Sequence, residues 1–163
     1  MPLIEYRSAL PGDLPGLLPL VREFYSHFAF PWDEERKGVL LARVLDDSDL
    51  GRLWVVTVDG QISGYALLPL YFSVEFDGRV ALLDELFVTA ELRGTGIGTR
   101  LLEEVVQAVS QERILGIRLE VDRRHPDATA LYTRLGFRPD GRETWTRRLG
   151  PFGADSALNA GRA

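Results

Sequence analysis

The sequence contains no cysteine. Disulfides, thiolate metal sites and a cysteine nucleophile are therefore excluded. Its only imidazoles are His27 and His125, too few for a histidine-rich metal site, and no metal is expected. No long basic run occurs, and the net charge is −5, the wrong sign for a non-specific nucleic-acid binder. No apolar run approaches the ~20 residues of a membrane-spanning helix, and no signal peptide is visible at the N-terminus. The expectation is a cytoplasmic protein with no nucleic-acid or membrane partner. Internal repeats are also missing. What remains is 163 residues, 45% hydrophobic and 26% charged, which suits one soluble domain with a real core.

The stretch from Ala81 to Val106, ALLDELFVTAELRGTGIGTRLLEEVV, organises the chain. Leu82 to Val88 is an apolar strand interrupted only by Asp84 and Glu85. Arg93-Gly94-Thr95-Gly96-Ile97-Gly98 follows a short polar link. Leu101, Leu102, Val105, Val106 and Val109 then recur at helical spacing. Bare backbone at a helix start, with unpaired N–H groups and partial positive charge, can close on a pyrophosphate. The alternative is a glycine-rich turn that only permits close strand–helix packing. No lysine follows the glycines, so this is not a Walker loop. A dinucleotide fingerprint would need glycine where Thr99 stands.

Leu3 to Ser8 alternates as a first strand. Asp13 is a candidate helix cap, and Leu14, Leu17, Leu18, Val21, Phe24, Tyr25 and Phe28 form a helical stripe. Pro19 should delay the regular helix to about Leu18, or bend it. Asp33 can cap a second helix whose inner face is Val39, Leu40, Val44 and Leu45. Arg52 to Val58 and Gln61 to Phe72 are strands joined at Asp59-Gly60, a hairpin signal. Gly64 suggests a bulge or a close backbone approach. After Asp77-Gly78 come the Leu82 strand, the glycine loop and the long helix. Ile114 to Val121 is a strand, parallel to Leu82–Val88 because a helix connects them. Pro126 and Gly136 punctuate a last helix, and Arg142 to Leu149 (RETWTRRL) is the expected last strand. Domain boundaries follow as one domain over residues 1–149 and a flexible tail over 150–163.

Arg93-x-x-Gly96-x-Gly98 resembles the signature loop of the GCN5-related N-acetyltransferases (GNAT), Gln/Arg-x-x-Gly-x-Gly/Ala. A second match is Ala128, Leu131, Tyr132, Arg134, Gly136 and Phe137, against the family's Asn-x-x-Ala-x-x-Leu-Tyr-x-Lys/Arg-x-Gly-Phe. His125 stands where asparagine is usual. The resemblance covers Leu3 to Leu149. The segment YFSVEFDGR followed by LLDELFV is also similar to a bacterial histone- or polyamine-acetyltransferase-like subgroup. The implied fold is α/β (α+β), with a mixed central sheet of about six to seven strands in the order β-α-α-β-β-β-α-β-α-β. In that fold the sheet splays between the fourth and fifth strands.

The resemblance implies direct acetyl transfer from acetyl-CoA to a primary amine of a small molecule or lysine-like side chain. It assigns cofactor binding to Leu86, Phe87 and Val88 in the splay, to Arg93, Gly94, Thr95, Gly96, Ile97, Gly98 and Thr99 in the loop, and to His125, Ala128, Tyr132 and Arg134. Val88 N–H is the candidate oxyanion donor. Tyr132 is the candidate general acid for the leaving thiolate, or else a packed core tyrosine. Arg134 either meets the 3′-phosphate or is a solvated helix charge. For the base, Glu85 is preferred to Asp84, with Glu120 and Glu75 as further options. Tyr25, Trp32, Tyr71 and Glu75, with Phe72 beside them, are candidate acceptor contacts through charge and cation–π attraction. His27 reads as a helix-face residue. A homodimer is a further expectation. The alternatives are a non-catalytic acyl-CoA-binding regulatory module and an acyltransferase using another acyl-CoA.

Overall fold

The structure is a computed structural model that describes residues 1–121, 126–147 and 149, with Pro126 and Asp127 as backbone only. His125 and the expected tail over 150–163 lie outside the described residues. The order is β1 (Ile4–Ser8), α1 (Leu14–His27), α2 (Glu34–Asp46), β2 (Gly51–Val58), β3 (Gln61–Ser73), β4 (Gly78–Leu83), β5 (Glu85–Val88), α3 (Ile97–Ser110), β6 (Ile114–Leu119) and α4 (Pro126–Arg134).

The strands form one mixed sheet in the order β1-β2-β3-β4-β6, with β5 also on β3. Among the described residues only the β4–β6 pair is parallel, as the connection through α3 requires. Asp59 and Gly60 both have positive φ, +49° and +79°, the geometry of a tight hairpin between β2 and β3. One sheet face packs on α1 and α2 through Leu17, Val21, Phe24 and Leu41 against Leu53, Val55, Tyr65 and Phe87. The other packs on α3 through Leu101, Leu102 and Val105 against Val56, Ala66, Leu68 and Val88. Alternation along β2 and β3 sends neighbouring residues to opposite cores.

Local expectations were met unevenly. Asp33 does cap α2, accepting the Arg36 N–H at 3.0 Å. Asp13 does not cap α1; its carboxylate takes the Arg7 guanidinium at 2.6 and 2.9 Å and the Leu10 N–H at 2.7 Å. Pro19 does not delay α1, which starts at Leu14 and continues through it. So near the helix start, its missing N–H frees only one carbonyl, that of Pro15. On α2 the buried contact is Leu41, whereas Val39 and Leu40 are exposed. Gly64 combines both expected features. Register shifts beside it, and a Cβ there would lie 2.7 Å from the Phe87 carbonyl oxygen.

Two differences bear on the site. The Leu82–Val88 strand is two strands, separated at Asp84. Ala81 pairs with Leu70, but Glu85 pairs with Leu67, so the register slips by one residue. Asp84 N–H donates to the Leu67 carbonyl at 3.0 Å, which sets two residues opposite one, a β-bulge. Second, residues 142–147 are not a strand, and Trp145 is 88% exposed. The alternation of RETWTRRL fits a pleat, but alternation alone supplies no ladder partner.

Candidate active site

The bulge sets the site. Ala81 and Leu83 face the α3 core. Unbroken alternation would send Glu85 there too. The extra residue flips the pattern, so Leu86 and Val88 face α3 and Glu85 turns to the α1/α2 side. There it is 6% exposed and accepts the Tyr65 hydroxyl at 2.6 Å. Burial raises the Glu85 carboxyl, while the Tyr65 hydrogen bond opposes that rise. Tyr25 faces the same carboxylate; burial and then the Glu85 charge hold its phenol protonated. Lys37 Nζ donates to Tyr25 Oη at 3.1 Å and lies 4.4 Å from the ring centroid.

Beyond the bulge the sheet opens. The parallel β4–β6 ladder ends at Leu83 with Leu119, and β5 stays with β3. Thr89 N–H donates to the Ser63 carbonyl at 3.0 Å. Antiparallel bonding alternates, so the Leu86 and Val88 peptide groups turn away from β3, into the gap that β6 vacates. The Val88 carbonyl accepts Arg93 Nε at 3.1 Å. Asp84 and Glu120 stand at the mouth of the gap. Asp84 is exposed to solvent, yet enough protein surrounds it to desolvate its carboxyl in part. That desolvation, then the Glu120 charge, raises its carboxyl.

The glycine loop serves two purposes, split by residue. Gly94 and Gly96 have φ of +75° and +88°, and a Cβ on either would meet no atom within 4 Å. Their backbone is bare and faces open space. Gly98 instead packs, since a Cβ there would lie 3.3 Å from Val88 Cγ2. The first helical bond of α3 runs from Arg100 N–H to Gly96 O at 3.0 Å. The Ile97, Gly98 and Thr99 N–H groups precede it, where intrahelical acceptors are lacking. This open, donor-rich helix start fits a pyrophosphate. Arg134 Nη2 donates to Thr99 Oγ1 at 3.2 Å, so the two sequence motifs meet at one helix end.

A family model described as the acetyltransferase (GNAT) family matches residues 17–137. The chain belongs to the GNAT family. It is an N-acetyltransferase of that family, with the GNAT fold. It is 24% identical over 138 residues to the uncharacterized N-acetyltransferase YhfO of Bacillus subtilis, covering 84% of this chain and 91% of the relative. It is also similar to an integron cassette protein from the mobile metagenome of Cole Harbour Salt Marsh, with 30% identity, a TM-score of 0.80, and 90% and 91% of the two chains covered. The aminoglycoside N-acetyltransferase AAC(6')-Iy, solved with CoA, shares the fold at 15% identity, a TM-score of 0.77, and 91% and 96% coverage. The GNAT family uses acetyl-CoA.

Within this GNAT fold, the remaining sequence-derived residues fall as follows. Tyr132 and Ala128 lie on α4. Tyr132 packs against the α3 core and edge-on to Phe137 at 5.9 Å; burial raises its phenol pKa. Gly136, at φ +91°, ends α4 as expected. Trp32 packs edge-on against Tyr25 at 5.6 Å, so these two form one wall. Tyr71 and Glu75 belong to a separate cluster. Arg118 reaches the Tyr71 hydroxyl at 3.4 Å, and Arg142 grips Glu75 at 2.8 and 3.0 Å. That hydrogen bonding lowers the Glu75 carboxyl. Phe72 is 73% exposed. Among the described residues no cluster of three metal-ligating side chains occurs, and no helix is long and apolar enough to cross a membrane.

Sequence reasoning missed Tyr65 and Lys37. Tyr65 reads as an ordinary strand aromatic, and only the β3–β5 register places it beside Glu85. Lys37 is the single lysine of the chain. That count was the available signal, but it carries no position until α2 packs on α1.

Proposed function

We propose that this GNAT enzyme transfers acetyl from acetyl-CoA directly to a primary amine, with Glu85 as general base. The supporting observation is the buried Glu85 carboxylate on the strand that presents the outward Val88 N–H. An ammonium acceptor must lose a proton before it can attack. A carboxylate raised by burial is a better proton acceptor near neutral pH than an exposed one. Asp84 and Glu120, at the mouth, attract the cationic acceptor.

In this reading the glycine loop and Thr99 hold the pyrophosphate, Arg134 meets the 3′-phosphate, and Ala128 lines the cofactor arm. The Leu86 and Val88 peptide groups hold the pantetheine arm and thioester. Val88 N–H then stabilises the negative charge on the carbonyl oxygen as the amine adds. Glu85 takes the ammonium proton and passes it to solvent, the neutral amine forms the N–C bond and gives its second proton to Glu85, and the C–S bond breaks. Tyr132 gives its proton to the departing sulfur. Burial keeps that phenol protonated until it is needed. No covalent enzyme intermediate is required, consistent with the lack of cysteine. Tyr25 and Trp32 wall the acceptor side, with Tyr71 and the arginine-bound Glu75 beyond them. The acceptor class is a small polyamine or a lysine-like side chain, as the acidic mouth favours.

The test is thiol release from acetyl-CoA across polyamines, amino acids, aminoglycosides and lysine peptides, beside calorimetric titration with acetyl-CoA. Release on one amine class, abolished by Glu85→Gln with binding retained, supports the reading. Binding without release on every amine favours a regulatory acyl-CoA module.

A further inference from the structure

Glu85 is a carboxyl buried against aromatics, and as a base it must be able to reach its charged form. An uncompensated buried carboxylate takes up a proton and stops acting as a base. Tyr65 helps with one hydrogen bond, but a phenol carries no charge. Tyr25 faces the carboxylate from α1. From α2 comes Lys37, itself flanked by Arg36 and by the cap residue Asp33. Asp84 lies next in sequence, with Glu120 at its side. Lys37 is the cation whose charge acts on Glu85 and Asp84 together. Its Nζ is anchored at 3.1 Å on the Tyr25 hydroxyl, over the face of that ring.

We propose that Lys37 is a positioning residue: acting across Tyr25, it is the counter-cation that favours the basic form of Glu85 against the burial that opposes it. This rests on the assignment of Glu85 as base. Lys37 itself touches neither the reacting atoms nor, by a direct ion pair, the carboxylate. It works through distance, through the low-dielectric aromatic wall, and through the hydroxyl it orients. Its half-buried place has the complementary effect, since burial lowers the Lys37 ammonium while Glu85, Asp33 and Asp84 support it. Neither charge is comfortable there alone.

The experiment has two arms. In the first, Lys37→Met and Lys37→Arg are compared with the parent enzyme as pH–rate profiles on an acceptor from the amine panel. Loss of the cation should move the acid limb of Lys37→Met to higher pH by about half a unit to one unit, the scale of one nearby charge. Turnover then falls several-fold near neutrality and recovers in alkali. Lys37→Arg, which keeps the charge, restores most of the shift. A merely structural lysine would lower turnover equally at all pH values. The second arm needs no acceptor. Because the chain has one lysine, nitrogen-labelled lysine yields a single side-chain NMR titration. Glu85→Gln should lower the Lys37 midpoint. A midpoint unmoved by Glu85→Gln, or coincident acid limbs in Lys37→Met and the parent, overturns the proposal. Full turnover by Glu85→Gln with a shifted Lys37 midpoint would instead remove Glu85 as base and leave the charge coupling standing.

Discussion

Tyr65 and Glu85 meet at 2.6 Å in the core, twenty residues apart in the chain. The hydroxyl comes from the middle of the sheet and the carboxylate from the residue after a bulge. The hydrogen bond favours the charged carboxylate, and burial opposes it. Tyr65→Phe removes the favourable half only. The expected result is an acid limb of the pH–rate profile displaced to higher pH, with acetyl-CoA affinity unchanged. An unmoved limb would detach Tyr65 from the base.

Glu85→Gln should lower turnover roughly 100-fold or more, the range for loss of a general base. It also carries a stability signature. Burial raises the folded-state carboxyl above its ordinary 4.5, so the native state binds the extra proton. Stability is then highest below that ordinary value and declines as pH rises through the raised one. Melting curves of the parent should therefore lose ground to Glu85→Gln as pH rises above the ordinary carboxyl value of 4.5. Parallel curves across that range would contradict the burial argument.

Gly96→Asp places a carboxylate where the loop should hold phosphate. Affinity for CoA should drop at least tenfold in a folded variant. The left-handed φ of +88° adds a stability cost of about 1 kcal/mol for any side chain. Gly96→Ala, measured alongside, separates that strain from the charge. Equal CoA binding by Gly96→Asp and the parent would sink the pyrophosphate assignment.

Arg134→Ala tests the meeting of the two motifs. If Arg134 contacts the 3′-phosphate, CoA should bind several-fold more weakly while dephospho-CoA is unaffected. The same loss for both ligands would mean that Arg134 only braces Thr99.

Tyr132→Phe keeps the ring that packs on Phe137 and removes only the proton. Turnover should fall about 10- to 100-fold, with CoA binding retained. A variant with normal thiol release would return Tyr132 to a packing role.

The sequence by itself determined whatever depends on neighbours along the chain. The glycine loop and α3 are local, because left-handed glycines and a 3.6-residue apolar period need no distant partner. The Asp33 cap, the Asp59-Gly60 hairpin and the Pro126–Gly136 limits of α4 were legible for the same reason. Tertiary structure decided what depends on register. No pattern in LLDEL marks Asp84 as the extra residue, since the bulge exists only against Leu67 across the strand gap. That single residue turns Glu85 from the α3 core to the α1/α2 side. Lys37, Tyr25, Tyr65 and Glu85 come from four elements, and their grouping is a product of packing, not of spacing. Residues 142–147 make the converse point: a strand-like pattern does not form a strand without a neighbouring strand to bond to.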